Sequence, residues 1–337
     1  MMKKSLVALA VIAASGMAMA QSSVTLYGVA DGGIGKDPGI AQKARVTGGT
    51  DTTNNGASRV GFTGVEDLGN GNKVGFQFET GLRLADGATA SGGSTPNAFW
   101  GRQANVFIGG GWGTIKAGRQ LTVSHIVEGV YDLTGQANYS AIDRAFGAAG
   151  SGNRADSALA YVSPNMGGFQ AAVAYVSKYN VGLHFDPAGQ EVRTANDLVG
   201  GNIWDAGVWY NNGGLGVGLS ANKLGKAKTQ YQVGGKYDFG NFAVAASYHR
   251  NNGVLTAAER GFSLSGQAKF GAFTATLSAA RVTKPTKYTN YVLEGKYALS
   301  KRTFLYADVV NDGNKVMTAT GLKKKKTGFG VGIHHSF

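Results

Sequence analysis

The sequence predicts an all-β protein, a transmembrane antiparallel up-and-down β-barrel of about sixteen strands. Three observations predict it. Apolar and polar residues alternate along most of the chain, short and long connections take turns between the alternating segments, and aromatic residues gather where those segments meet the short connections. Alternation with period two places one side-chain set on each face of a strand.

The alternating segments fall near 23–35, 58–66, 72–83, 100–109, 113–121, 156–164, 168–180 and 203–212. The others fall near 214–224, 228–239, 241–251, 259–270, 272–283, 287–299, 302–311 and 326–337. In 73–82, Val74, Phe76, Phe78, Thr80 and Leu82 face away from Lys73, Gly75, Gln77, Glu79 and Gly81. Leu215, Val217, Leu219 and Ala221 likewise oppose Gly216, Gly218, Ser220 and Asn222, and Tyr231, Val233 and Tyr237 oppose Gln230, Gln232 and Lys236. The last segment sets Phe329, Val331, Ile333, His335 and Phe337 against Gly330, Gly332, His334 and Ser336.

Short turns at 67–71, 110–112, 165–167, 213, 240, 271 and 300–301 alternate with connections at 36–57, 84–99, 122–155, 181–202, 225–227, 252–258, 284–286 and 312–325. Most of the second group are long. An even strand number with both termini on one side requires this order, with short periplasmic turns and longer external loops. Trp112, Phe169, Phe239, Phe242, Phe270, Phe273, Tyr297 and Phe337 sit near the short turns or the terminus, where amphipathic rings suit a headgroup interface. One strand face is apolar; the other is Gly, Ser, Thr, Gln, Asn and charge. Lipid outside and water inside satisfies both, and closure removes the unpaired edges that lipid would not tolerate.

Composition excludes several classes. The 337 residues contain no cysteine, so a disulfide scaffold, a thiolate metal site and a cysteine nucleophile are out. The 54 glycines, about 16% against a usual ~7%, show no triplet period, and only five prolines accompany them, so collagen is out as well. Residues 1–20 read MMKKSLVALAVIAASGMAMA, with basic Lys3 and Lys4, an apolar stretch and an Ala18-Met19-Ala20 cleavage pattern. That is a secretory signal peptide, followed by one barrel domain over 21–337. Its removal takes two lysines and no acid, so the formal charge of +13 becomes +11. An exported chain needs no nucleic-acid partner to explain that charge. No other apolar stretch is long enough for a helical span.

Several stretches resemble the general porins of β-proteobacteria, a trimeric, sixteen-stranded outer-membrane family. They are 22–31 (SSVTLYGVAD), 58–69 (SRVGFTGVEDLG), 113–120 (GTIKAGRQ), 161–169 (YVSPNMGGF), 235–240 (GKYDFG), 297–306 (YALSKRTFLY) and the ending 330–337 (GVGIHHSF). They occur in order from the mature start to the last residue. The resemblance implies a passive channel for small hydrophilic solutes and ions in the Gram-negative outer membrane. It also implies a homotrimer surrounded by outer-membrane lipid and lipopolysaccharide, and a third external loop folded into the lumen.

Such a pore needs no catalytic residue or cofactor; bore and the charges at its narrowest level set selectivity. The 122–155 connection is the longest and carries Glu128, Asp132, Asp143 and Arg144. Arg59, Arg102, Arg119 and Arg154 flank it on the second, fourth, fifth and sixth strands, roughly six to ten residues above their short turns and so near mid-barrel height. Arginines on one wall facing an acidic loop create a transverse field, and a weakly hydrated guanidinium suits carboxylates and phosphates. Parity points Arg59, Arg154, Glu79 and Lys116 inward. Arg102 and Arg119 fall on the lipid-facing parity, at a cost of ~2–4 kcal/mol near midplane. Either a bulge resets their register, or they face a neighbouring subunit or the loop root.

The expected function is a general diffusion pore that prefers small anionic solutes; the alternative is a substrate-specific channel for organic anions or phosphate. Lys236, Lys269 and Lys296 read either as a basic lower vestibule or as ordinary solvated lysines. Lys323–Lys326 reads as a solvated run or as a contact for anions and lipopolysaccharide phosphates. No enzyme is expected: a barrel protease or phospholipase needs an Asp/His or Ser/His set at one rim, and no loop offers one. A purely structural or adhesive barrel would not conduct. Gly328–Gly332 opens no helix and so cradles no phosphate. The 311–314 stretch (NDGN) is a turn that lacks the remaining calcium ligands. Among His125, His184, His249, His334 and His335, the adjacent pair points to opposite faces, and no metal site is read.

Overall fold

The computed structural model describes residues 23–38, 43–89, 98–147, 152–177, 184–185, 191–192, 201–251, 260–313 and 327–337. The signal peptide read at 1–20 and the run Lys323–Lys326 lie outside the described residues. Sixteen long strands follow in order. They are β1 (Ser23–Lys36), β2 (Arg59–Gly69), β3 (Asn72–Gly81), β4 (Gln103–Gly110), β5 (Gly113–Leu121), β6 (Arg154–Val162), β7 (Phe169–Val176) and β8 (Ile203–Asn212). The second half comprises β9 (Leu215–Leu224), β10 (Gln230–Asp238), β11 (Phe242–Arg250), β12 (Arg260–Phe270), β13 (Phe273–Lys284), β14 (Tyr288–Ala298), β15 (Thr303–Asn311) and β16 (Thr327–Ser336). Each alternating segment holds one strand. A short strand, Arg45–Gly48, adds to β1, and His184–Phe185 pairs with Glu191–Val192; alternation is too brief there to read.

Neighbouring strands pair antiparallel, and the ring closes between β1 and β16. The first strand is divided: Ser23–Val29 pairs with β2, and Val29–Lys36 pairs with β16. Gly28 and Phe337 exchange both backbone hydrogen bonds, each 3.1 Å long. Tight turns centre on glycines such as Gly213 (φ 58°) and Gly271 (φ 60°), a left-handed backbone that a Cβ disfavours.

Exposure alternates residue by residue along β9, with Leu215, Val217 and Leu219 on the outer face. All eight aromatics assigned to the girdle are exposed.

The connection between β5 and β6 turns into the lumen as two helices, α1 (Val123–Tyr131) and α2 (Ala141–Phe146). Thr122 caps α1, accepting from the backbone N–H of His125, and Ser140 caps α2. Val123, Val127 and Tyr131 recur at helical spacing on one face, which α1 lays on β8, β9 and β10. The wall receives it with glycines. A Cβ on Gly207 or Gly218 would meet Val127 at 2.7 or 2.8 Å, and one on Gly234 would meet the Tyr131 ring at 2.6 Å. Helix α2 packs on β12, β13 and β14, where Ile142 and Phe146 join inward Ala280, Val282 and Val292 in a buried cluster. Part of the inner face whose small residues imply open bore is therefore a seat for the helices, and the barrel holds a partial hydrophobic core.

Candidate functional site at the lumen constriction

Five consecutive strands, β2 to β6, carry the basic wall. Glu79 on β3 is nearly buried and shared by two arginines: its Oε1 lies 2.6 Å from Arg102 Nε and its Oε2 lies 3.8 Å from Arg59 Nε. Arg59 also donates to the carbonyl of Ala57 at 3.0 Å. Arg102 stands just before β4, outside the ladder, so strand parity does not bind it. Arg119 falls at a break in register between Gly118 and Gln120, where Gly118 (φ 124°) and Ser157 (φ 51°) both leave extended geometry. Its guanidinium pairs with Asp156 and donates to the carbonyl of Gly101 at 2.7 Å. Arg154 Nε donates to the carbonyl of Arg102 at 2.8 Å, and among the described residues no carboxylate pairs with it. Lys116 lies over the Phe107 ring, 5.9 Å from its centroid. The two arginines of lipid-facing parity thus line the lumen with the other two.

The acidic loop differs from the sequence reading. Asp132 is buried and consumed locally: it accepts from the backbone and hydroxyl of Thr134 (2.9 and 2.8 Å), the Ser140 hydroxyl (2.7 Å) and the Gln136 backbone (3.2 Å). Glu128 is fully buried, and neither carboxylate oxygen has a hydrogen-bond partner among the described residues. Burial, then the charges of Asp143 and Asp132, pushes its carboxyl well above the usual range. Burial and Asp132 raise Asp143 to about 6, opposed by Arg144. Only Asp143 of these three lines a lumen cavity. Glu128 and Asp132 do not face the arginines across open water, because α1 turns its polar side into the loop's own second half. Burial, with Arg154 and Arg102 nearby, lowers His125 to about 3, which keeps its ring neutral.

Two lumen cavities of about 560 and 370 Å³ share part of their lining. Both are lined by Arg102 and Arg154 from the wall and by Asn138 from the loop. Asn138 is fixed there by donating to the carbonyls of Gly49 (3.1 Å) and Asp51 (3.0 Å). The shared lining thus carries two guanidinium groups and a neutral carboxamide, while Asp143 and Asp205 line only the larger cavity and Glu79 only the smaller.

The chain matches the Gram-negative porin family over residues 5–316. The chain belongs to that family. It is 32% identical to outer membrane porin protein 32 of Delftia acidovorans and 29% identical to major outer membrane protein P.IB of Neisseria meningitidis serogroup B, over the whole of each chain. Its fold matches an anion-selective porin from Comamonas acidovorans with a TM-score of 0.69 at 22% identity, covering 94% of this chain and all of that one. Salmonella typhi OmpF matches with a TM-score of 0.68 at 17% identity, covering 93% and 97%. The protein is an outer-membrane porin, a passive channel for small hydrophilic solutes, and belongs to a non-enzymatic kind of protein.

Other residues of this porin hold the loop in place and escape a parity reading. Asp205 on β8 accepts from the Ser124 hydroxyl (2.7 Å) and backbone N–H (3.0 Å) at the start of α1. Tyr139 donates to Glu294 Oε2 at 2.6 Å and accepts from Asn55 at 2.8 Å. Arg144 pairs with Asp312 at 2.9 Å, tying α2 to the last external loop. Asp205 and Glu294 carry a sequence signal, a carboxylate at an inward strand position, whereas Asp312 lies in a loop and carries none. Lys296 is occupied by Glu294 (3.1 Å) and the carbonyl of Thr134 (3.2 Å), and Lys269 by Asp238 (2.6 Å). His334 contacts Asp31 and His335 contacts Thr303, on opposite faces.

Proposed function

We propose that this porin is a general diffusion channel that prefers anions, is processed after Ala20 and works as a homotrimer. The observation that carries the preference is the lining shared by the two cavities, in which Arg102 and Arg154 stand with Asn138 and no carboxylate. A guanidinium at ~5 Å attracts a monovalent anion by roughly 1 kcal/mol at water-like permittivity and repels a cation equally. A net excess of one such charge gives a preference on the order of tenfold before screening. The fold shared with the anion-selective porin from Comamonas acidovorans fits this reading, and the mature charge of +11 adds to it. The homotrimer and its lipopolysaccharide surroundings follow from the family resemblance.

Planar-bilayer recording tests the parts together. A salt gradient should give a reversal potential on the anion side, and three-step closure should accompany it. Arg154→Ala removes a charge with no carboxylate partner among the described residues, so it should move the permeability ratio several-fold toward unity. Clear cation preference in the wild type would sink the proposal. The alternative, a substrate-specific channel for organic anions or phosphate, is separated by current block: micromolar solute blocks a saturable site and leaves a general pore unaffected.

A further inference from the structure

We propose that His125, Glu128 and Asp143 form a divalent transition-metal site that staples α1 to α2 within the folded loop. One ligand-type atom from each of the three lies within 4.8 Å of the others. His125 and Glu128 stand one helical turn apart on α1, and Asp143 comes from the first turn of α2. This pairing of helices brings one imidazole nitrogen and two carboxylates to one point.

A second observation points to a ligand there. Glu128 is completely buried, and among the described residues neither of its oxygens has a hydrogen-bond partner, nor does Oδ1 of Asp143. Buried polar atoms nearly always find a partner, and a carboxylate left without one costs several kcal/mol unless a proton or a cation compensates. The nearby Asp132 charge adds to the demand for a cation. The ring of His125 is fixed by Gln136, whose Nε2 lies 3.0 Å from Nδ1 and donates to the His125 carbonyl at 2.8 Å. Access exists from both sides: His125 lines the smaller lumen cavity and Asp143 the larger.

The donor set selects the ion class. Imidazole with carboxylates suits zinc and its first-row neighbours, whereas magnesium and calcium take oxygen alone. Zinc bonds of about 2.1 Å put ligand atoms within about 4 Å of each other, so side-chain shifts of less than an ångström close the site. Bound zinc would add positive charge opposite the arginine wall and lock the two helices together.

Zinc ion titrated calorimetrically into the purified full chain in detergent is the test, with His334→Ala/His335→Ala as a control for the terminal histidines. We expect one zinc per chain at micromolar affinity, weakened by about tenfold or more in Glu128→Gln and in His125→Ala. The Gln variant preserves shape at a buried position, so it separates lost binding from lost folding. Zinc should also shift the bilayer reversal potential of wild type but not that of Glu128→Gln. Absence of binding would mean that the carboxyls share a proton instead and would overturn the site. Binding that survives both variants, or that disappears only in the terminal-histidine control, would overturn it as well.

Discussion

The two sides of the lumen use the same small inward residues for opposite purposes. On β8 to β10, Gly207, Gly218 and Gly234 are absences of side chain into which Val127 and Tyr131 fit, so that wall is dry and its polar groups are anchors. On β2 to β6 no helix among the described residues covers the strands, and the arginine side chains lie along the wall, bonded to its carboxylates and carbonyls beside the lumen cavities. The difference teaches that lumen charge and lumen packing are segregated by strand. In the proposed reading, one side sets what passes and the other sets how far the loop stands from it.

The sharpest way to break this division is to fill the seat. Gly234→Val would place methyl groups inside the Tyr131 ring, an overpacking that costs about 1–3 kcal/mol and should push α1 off its wall. We expect a folded barrel whose single-channel conductance changes on the order of twofold, because the loop sets the bore. Unchanged conductance would mean that α1 does not define the passage.

A second change acts on the other wall alone. Glu79→Gln frees Arg59 and Arg102 of their shared counter-charge while keeping the side-chain shape. Removing one negative charge near the path changes an anion's energy by roughly 1 kcal/mol, so anion preference should rise severalfold, read as a reversal-potential shift. A fall in preference would reverse the assigned sign.

Tyr139→Phe is a smaller test. It deletes the hydroxyl that joins the loop to Glu294 and Asn55, worth about 1.5–3 kcal/mol for a bond to a charged partner. The expected result is more frequent current flicker with the same ion preference. Smallest of all is Lys269→Ala at the turn rim, where the half-exposed pair with Asp238 contributes at most about 1 kcal/mol. Neither conductance nor selectivity should move measurably, and a large effect would place that lysine in the conducting path.

Much of the barrel was legible because lipid and water on opposite faces force period two on every strand; β5 and β8 start and end where their alternation does. The constriction was legible only in part. Arg59 keeps the strand rhythm, but Arg119 sits where the rhythm breaks; the same break separates Arg154 from Ala158, and the positive φ of Ser157 behind it has no signature in a serine. The helices of the loop are masked in the sequence although Val123, Val127 and Tyr131 carry the spacing of the first, because a connection so long reads as irregular chain. The burial of Glu128 and Asp132 was not legible at all: it depends on how the loop folds back on itself, which is a tertiary fact. For the same reason His125, Glu128 and Asp143 never looked like a ligand set in the sequence.

The divided pairing of β1 has a consequence for how the molecule comes to exist. Its second half reaches the main ring only through the final strand, with the short Arg45–Gly48 strand beside it, and the bond between Gly28 and Phe337 joins the first strand to the last residue. Hairpins such as β8–β9 are local and form early, but any partial sheet carries two raw edges, each able to recruit a strand from another chain. The ring is sealed only after the last aromatic residue has been synthesised and delivered. A truncation of a few residues at that end would therefore act less like the loss of a strand tip than like a zip left undone, with aggregation at the open seam as the outcome.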